Sequence, residues 1–276
     1  MTYTFAKWLL FLYIYCFIGW IWECLYVSVC KGKWVNRGFM AGPFLPIYGC
    51  GAIMILFLTL PVRESAVAVY FIGMVSATIL EYFTGAAMEK LFHVRYWDYS
   101  KNKLNVNGHI CLKSSLAWGA FSVVLTLYGH KPLERLVMGM NQNVLEFIVF
   151  GLTAVIAVDF SQSVREALDL KELLITLENN HEELRRIQKR IDVIKTVYGT
   201  EVKEKSEQGL KKLNLMIESG KELWGKKEYI RVKKLLKRNP GAVSMRHAQA
   251  LRDLLNIHEL SSIKKLPKKI LWRKRK

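Results

Sequence analysis

The chain has 276 residues, 51% of them hydrophobic, and a formal net charge of +18. Residues 1–159 hold 12 Lys/Arg against 8 Asp/Glu and residues 160–276 hold 29 against 15, so a basic tail follows a hydrophobic half. Such a tail reads as cytoplasmic and close to anionic lipid, and nucleic acid is not expected as a partner. The five cysteines (Cys16, Cys24, Cys30, Cys50, Cys111) all lie in the hydrophobic half without a C-x-x-C partner, which indicates neither a zinc site nor a disulfide framework. No metal or cofactor is expected.

The first apolar run, Phe5 to Val29, is too long for a signal-peptide core and lacks a basic leader with a small-residue cleavage site, so it reads as a retained membrane span. Within it GWIWEC places Glu23 beside Trp20 and Trp22. A carboxylate at bilayer depth costs roughly 2.5–3.5 kcal/mol, so it faces a partner, a cavity or a pathway. Two readings of Glu23 stand: a functional carboxylate, or one that snorkels to the interface or pairs with Lys31 or Arg37.

From Gly38 the chain reads GFMAGPFLPIYGCG, and a second span is expected at Gly42–Leu60. Pro43 and Pro46 remove donors, and glycines let backbones approach closely. The segment is either a tight helix contact, with Gly38 and Gly42 spaced as a GxxxG pair, or an unwound entry whose carbonyls coordinate a ligand.

The third span, Ser65–Met88, carries Glu81, followed by Tyr82, Thr84 and Gly85. The loop after it, FHVRYWDYSKNKLNVNGHICLKSS, is dense in groups that bind or move protons: His93, Arg95, Asp98, Tyr99, Asn105, Asn107, His109 and Lys113. Tyr96 and Trp97 suit the headgroup interface. The fourth and fifth spans are expected at Leu112–Tyr128 and Asn143–Phe160; Asp159, followed by Ser161 and Ser163, reads as the water boundary in preference to an interfacial hydrogen-bonding site.

Five spans put the termini on opposite sides. The loop at Lys31–Arg37, the loop after span three and the tail are basic, whereas the other two connections are nearly neutral. The charge bias therefore places the N-terminus outside and the C-terminus in the cytoplasm. Glu23, Glu81, Asp98 and His109 each fall near the cytoplasmic end of a span, and their convergence on one cavity would suit proton transfer, cation coordination or acid–base chemistry.

In the tail, Leu170, Leu173, Leu177, Asn180, Leu184, Ile187, Ile191, Ile194 and Tyr198 form a heptad seam, so a coiled coil is expected at about 168–198. It can join two subunits or fold back on a helix around Leu210, Leu213 and Ile217. A phosphate-loop spacing at Gly220–Lys226 has Lys227 where the magnesium-binding hydroxyl belongs and no strand before it, so no intrinsic ATPase motif is present. Pro240–His258 reads as one more short helix, and the end, KKLPKKILWRKRK, suits anionic lipid or solvent.

GWIWEC, RGFMAGPFLPIYGCG, ILEYFTGAAMEKLF and YWDYSKNKLNVNGHICLKSSLAWG, in that order and spacing over about residues 8–160, resemble the CmpB-like ABC transporter type IV membrane family. The family pattern falls on Trp20, Glu23, Gly38, Gly42, Pro43, Pro46, Tyr48, Gly49, Gly51, Glu81, Trp97, Asp98, Tyr99, Asn107, Gly108 and Trp118. The resemblance implies a multi-pass protein of the bacterial cell membrane, labelled a permease.

The sequence thus describes an all-α polytopic membrane protein: residues 1–160 as a domain of about five transmembrane helices and residues 161–276 as a basic helical tail. Its first functional reading is a permease-like transporter subunit of unknown substrate, oligomeric and driven by a separate ATPase subunit or by an ion gradient. The alternatives are a membrane-embedded enzyme acting on lipid or a lipid-linked group through His109 with Asp98, Glu81 or Glu23, and an adaptor that recruits partners through its tail. The candidate binding or relay residues are Glu23, Glu81, Asp98, Tyr99, Asn107 and His109. The supporting motif is Gly38, Gly42, Pro43, Pro46, Tyr48, Gly49, Gly51 and Trp97.

Overall fold

The computed structural model describes residues 3–198 and 226–251, with side chains described at 3–179 and 230–251. The chain is mostly helical. In order it forms α1 (Phe5–Lys31), α2 (Pro46–Thr59) with a 3-10 turn at Leu60–Val62, and α3 (Ala66–Phe92). A short ribbon of β1 (Asn105–Val106) and β2 (Ile110–Cys111) follows. Next come α4 (Leu112–Val123), a π-helical segment (Val124–Gly129), α5 (His130–Met138), α6 (Gln142–Tyr198) and α7 (Lys226–Arg238). Two compact units result: Met1–Arg165 with Lys237–Val243, and Glu166–Leu236 with Ser244–Lys276.

The helices α1 and α3 are each long and apolar enough to cross a membrane, as is the stretch Gln142–Asn179 of α6. At 1.5 Å per residue the 27 residues of α1 reach about 40 Å, more than the roughly 30 Å of hydrocarbon. The helix ends where Gly32 turns left-handed and its N–H bonds back to Ser28 and Val29. Ser65 caps α3 by accepting from the Ala68 N–H.

The second expected span differs. Pro46 opens α2 in its first turn, where a missing N–H is harmless, and Leu45 before it is extended. The helix therefore starts at Pro46 rather than Gly42, and with its 3-10 turn it is a shorter apolar element ending at Val62. Its entry is tied to α1 by the Leu45 N–H donating to the Cys16 carbonyl at 3.0 Å. Gly38 and Gly42 lie outside any helix, so they do not form a helical GxxxG pair; Gly38 adopts φ +143°, which an L side chain rarely reaches. Close helix approach is carried instead by Gly19 against Tyr48, Gly49 against Cys16 and the Leu12 carbonyl, Gly73 against Ser122, and Gly119 against Tyr70.

The fourth element also departs from expectation. The consecutive α4, π segment and α5 carry helical structure past Tyr128 to Met138. In the π segment Thr126 is buried, and its Oγ1 lies 2.9 Å from that of Thr59 on α2. Beyond it His130, 1% exposed, sits between the hydroxyls of Tyr15 and Tyr3 at 2.8 and 3.1 Å. Leu10, Phe11, Ala52, Leu56, Val137, Leu145 and Val149 close the core of this end. Phe57, Phe71, Phe83, Phe147 and Phe150 are exposed, a distribution suited to lipid and costly in water.

In the second unit, Leu170, Leu173 and Leu174 of α6 and Val232, Leu235 and Leu236 of α7 are buried, and Arg231 holds Asp169 at 2.7 Å. The first positions of the heptad seam are thus covered within this chain. The seam side chains from Asn180 onward, Leu210 to Ile217, the Gly220–Gly225 spacing and the basic C-terminal end lie outside the residues whose side chains are described. Pro240–Val243 is not helical: Pro240 and Gly241 form a turn with the Ala242 N–H bonded to the Asn239 carbonyl at 3.0 Å, and Val243 pairs antiparallel with Arg95. Helix follows only at 248–251.

Candidate functional site

Glu81 sits on α3 among apolar neighbours and is 6% exposed. Both of its oxygens are occupied: the Tyr99 hydroxyl donates to Oε1 and the Trp118 Nε1–H donates to Oε2, each at 3.1 Å. Hydrogen bonds to a charged group are worth about 1.5–3 kcal/mol each, which offsets much of the cost of placing a carboxylate there. Trp118 comes from α4 and Tyr99 from the loop before β1, so three elements converge on one side chain.

Glu23, on α1, is reached by the Tyr48 hydroxyl at 2.9 Å and by Arg37 Nε at 3.9 Å. Tyr48 stands in the first turn of α2, and its ring lies against that of Trp118 with centroids 5.7 Å apart. The two carboxylates are thereby joined in one line of side chains, Glu23–Tyr48–Trp118–Glu81–Tyr99. Four helices and the loop before β1 supply it. Trp20, one turn before Glu23, donates to Asn36 Oδ1 at 2.7 Å and helps fix the Arg37 turn.

Asp98 and His109 belong to a second group. Glu89 Oε2 accepts from Arg95 Nε at 2.8 Å and lies 3.3 Å from His109 Nε2. Asp98 faces Arg95 at 3.5 Å and accepts from the Ser100 N–H and hydroxyl. Asn107 donates to the Tyr82 hydroxyl at 3.0 Å, and Trp97 donates to the His109 carbonyl at 2.9 Å. The scaffold is a hairpin whose Asn107 and Gly108 have φ of +53° and +74°, with the His109 N–H bonded to the Val106 carbonyl. Asn-Gly at these positions is the signature of a type I′ turn. A Cβ on Gly108 would meet Asp98 Oδ1 at 2.8 Å, so only glycine lets the acidic side chain lie over the turn.

The electrostatics of this loop follow from its neighbours. Burial raises the Asp98 carboxyl, but the Ser100 donors and Arg95 outweigh it and hold the group below the usual carboxylate range. Burial and then Arg95 push the His109 imidazole below its ordinary value, against the opposite pull of Glu89 and Asp98. Burial, with Glu81 close by, raises the Tyr99 phenol, so it stays a donor. Tyr99 connects the two groups: its hydroxyl serves Glu81 while its N–H bonds to the Gly108 carbonyl at 2.9 Å.

The four residues expected to share one cavity therefore fall into two adjoining groups, Glu23 with Glu81 and Asp98 with His109. Glu89 is the partner sequence reasoning missed; its place one turn from a helix end gave it the look of a solvated charge. Asp159, for which the water boundary was preferred over a hydrogen-bonding site, does form hydrogen bonds. Its carboxylate accepts from the N–H groups of Ala41 and Gly42 at 3.1 and 2.8 Å, so α6 cradles the unwound entry to α2. Of the motif glycines, Gly42 has Asp159 where a Cβ would stand, and Gly51 has only ordinary contact with Leu80.

A family model described as "Putative ABC-transporter type IV" matches residues 9–164. No curated protein and no solved structure matches the chain.

Proposed function

From the membership of this chain in the "Putative ABC-transporter type IV" family, we propose that it is a permease-like membrane subunit whose solute or ion path runs along the Glu23–Tyr48–Trp118–Glu81–Tyr99 line. That line is the observation carrying the proposal: two carboxylates held inside apolar helices by aromatic donors, at an expense in desolvation that packing alone does not require. Asp98, Asn107 and His109 shape the loop that delivers Tyr99. Five crossings are counted by taking α2 with its 3-10 turn, and α4 through α5, as spans beside α1, α3 and the start of α6. In this reading the N-terminus is outside and the tail lies in the cytoplasm of a bacterial cell.

One further contact supports the sidedness. Arg37 donates to the Tyr96 carbonyl at 2.8 Å, so the two basic loops that share a side under the charge rule meet. The chain lacks an ATPase motif, which calls for a separate ATPase subunit, and five spans call for an oligomer in anionic lipid. The enzyme reading is less favoured, because His109 is engaged by Glu89 and Asp98 by Ser100.

Vesicles holding the full-length protein with the ATPase that copurifies from its native membrane are expected to take up solute in an ATP-dependent way. The assay scans labelled inorganic cations, amines, amino acids and sugars. Glu81→Gln should lower uptake about tenfold or more at unchanged folded yield, the signature of a lost functional contact. Equal uptake by the variant would remove the carboxylate line from the path.

A further inference from the structure

The segment Lys237–Val243 is bound to the first unit although more than seventy residues separate it from the end of that unit's main stretch. Its attachments are specific. The Asn239 side chain accepts from Arg37 Nη1 at 3.0 Å and donates to the Gly38 carbonyl at 3.0 Å. Arg238 Nη2 donates to the Phe39 carbonyl at 3.3 Å. Val243 and Arg95 exchange backbone hydrogen bonds of 2.7 and 3.0 Å. Asn239 is 2% exposed and Ala242 6%. A surface linker would not bury a carboxamide, and a carboxamide can hold a donor and an acceptor at once, as this one does.

What the segment grips is the turn that leads into α2. Residues 36–45 form the unwound entry to α2, and the side chains that hold it converge there: Asn239 and Arg238 donate to its first carbonyls, and Asp159 accepts from the Ala41 and Gly42 amides. Arg37 is the shared member. One nitrogen faces Glu23 at the end of the carboxylate line, a second holds Tyr96, and the third is taken by Asn239. The backbone of Arg37 is packed against Cys24, whose Sγ accepts from its N–H at 3.1 Å and which has no exposure to solvent.

We propose that residues 237–243 are an autoinhibitory strap: docked, they hold Arg37 on Glu23 and keep the 36–45 turn shut, and their release frees the turn and uncovers the cytoplasmic end of the line. The inhibitory meaning rests on the permease reading, whereas the lock itself does not. Asn239 is a positioning residue, acting on Glu23 through Arg37.

Cys24 reports the lock directly. In the full-length protein in lipid, with Cys16, Cys30, Cys50 and Cys111 replaced, a membrane-impermeant maleimide should label Cys24 about tenfold or more faster in Asn239→Ala than with Asn239 present. Reaction through local opening follows the population of the open form. Asn239→Asp, which keeps the acceptor for Arg37 but loses the donor to Gly38, should fall between the two. Equal labelling rates in all three would overturn the strap. Hydrogen exchange on the unmutated protein gives a second reading that no folding defect can blur. Amides of residues 37–45 should open with the same free energy as the Val243 amide, and independent opening would overturn the proposal. Failure of the permease reading shows differently, as absent uptake in every variant whatever the labelling rates.

Discussion

His109 shows how much a single side chain depends on what surrounds it. Glu89, Asp98 and Arg95 all face it; burial and Arg95 prevail, and the imidazole is held neutral. The unfolded chain, with an ordinary histidine near 6.5, then binds the proton more readily than the folded one. The stabilisation from His109 is complete above that ordinary value and is lost as pH falls through it toward the lower folded one. The unfolding temperature of the native protein should therefore drop more between about pH 7.5 and pH 5.5 than that of His109→Gln. Parallel pH profiles would mean that His109 does not titrate on unfolding in that window. Glu23 and Glu81 were legible in the sequence because a carboxylate inside an apolar run stands out at once. Arg37 was foreseen as a partner of Glu23, and Tyr48, Tyr99 and Trp118 fall on the family pattern, but which side chain meets which was not legible: Trp118 is 37 residues from Glu81.

At the scale of helices, apolar runs located α1, α3 and the start of α6, while proline and glycine moved the boundary of α2. The sequence suggested an end for the fourth span near Tyr128, since Lys131, Glu134 and Arg135 follow; instead those residues fall on one side of an amphipathic continuation through α5, with His130 and Val137 buried. The α3–α4 contact depends on Gly73, where an added Cβ would run into the Ser122 side chain. Gly73→Ala should cost about 1–3 kcal/mol by overpacking, read as a lower unfolding temperature in lipid. Ser122→Gly in the same chain should return more than half of the loss, and no recovery would place the strain elsewhere. Because Ser122 donates to the Trp118 carbonyl at 2.7 Å, the single variant should also slow uptake, through the indole that holds Glu81.

For the whole molecule, sidedness is the decisive expectation. Single cysteines placed at Lys31 and Lys101 should react with an impermeant thiol reagent from the cytoplasmic face, and those at Glu64 and Asn141 from the opposite face. Labelling of Glu64 and Lys101 positions from one side would end the five-span reading. That expectation rests on the charge bias, a one-dimensional property of the chain. The return of Lys237–Val243 to the loops at Gly38 and Arg95 was not, because no periodicity marks a segment held by a carboxamide and one β-bridge.

That return also sets an order of events during synthesis. Arg37 and Asn239 are 202 residues apart, and chains are made at about 5–20 residues per second. The turn before α2 is thus synthesised roughly ten to forty seconds before the carboxamide that clamps it. Every newborn copy passes through an unclamped infancy, and a ribosome that stalls or stops before Asn239 leaves behind a permanently juvenile membrane domain.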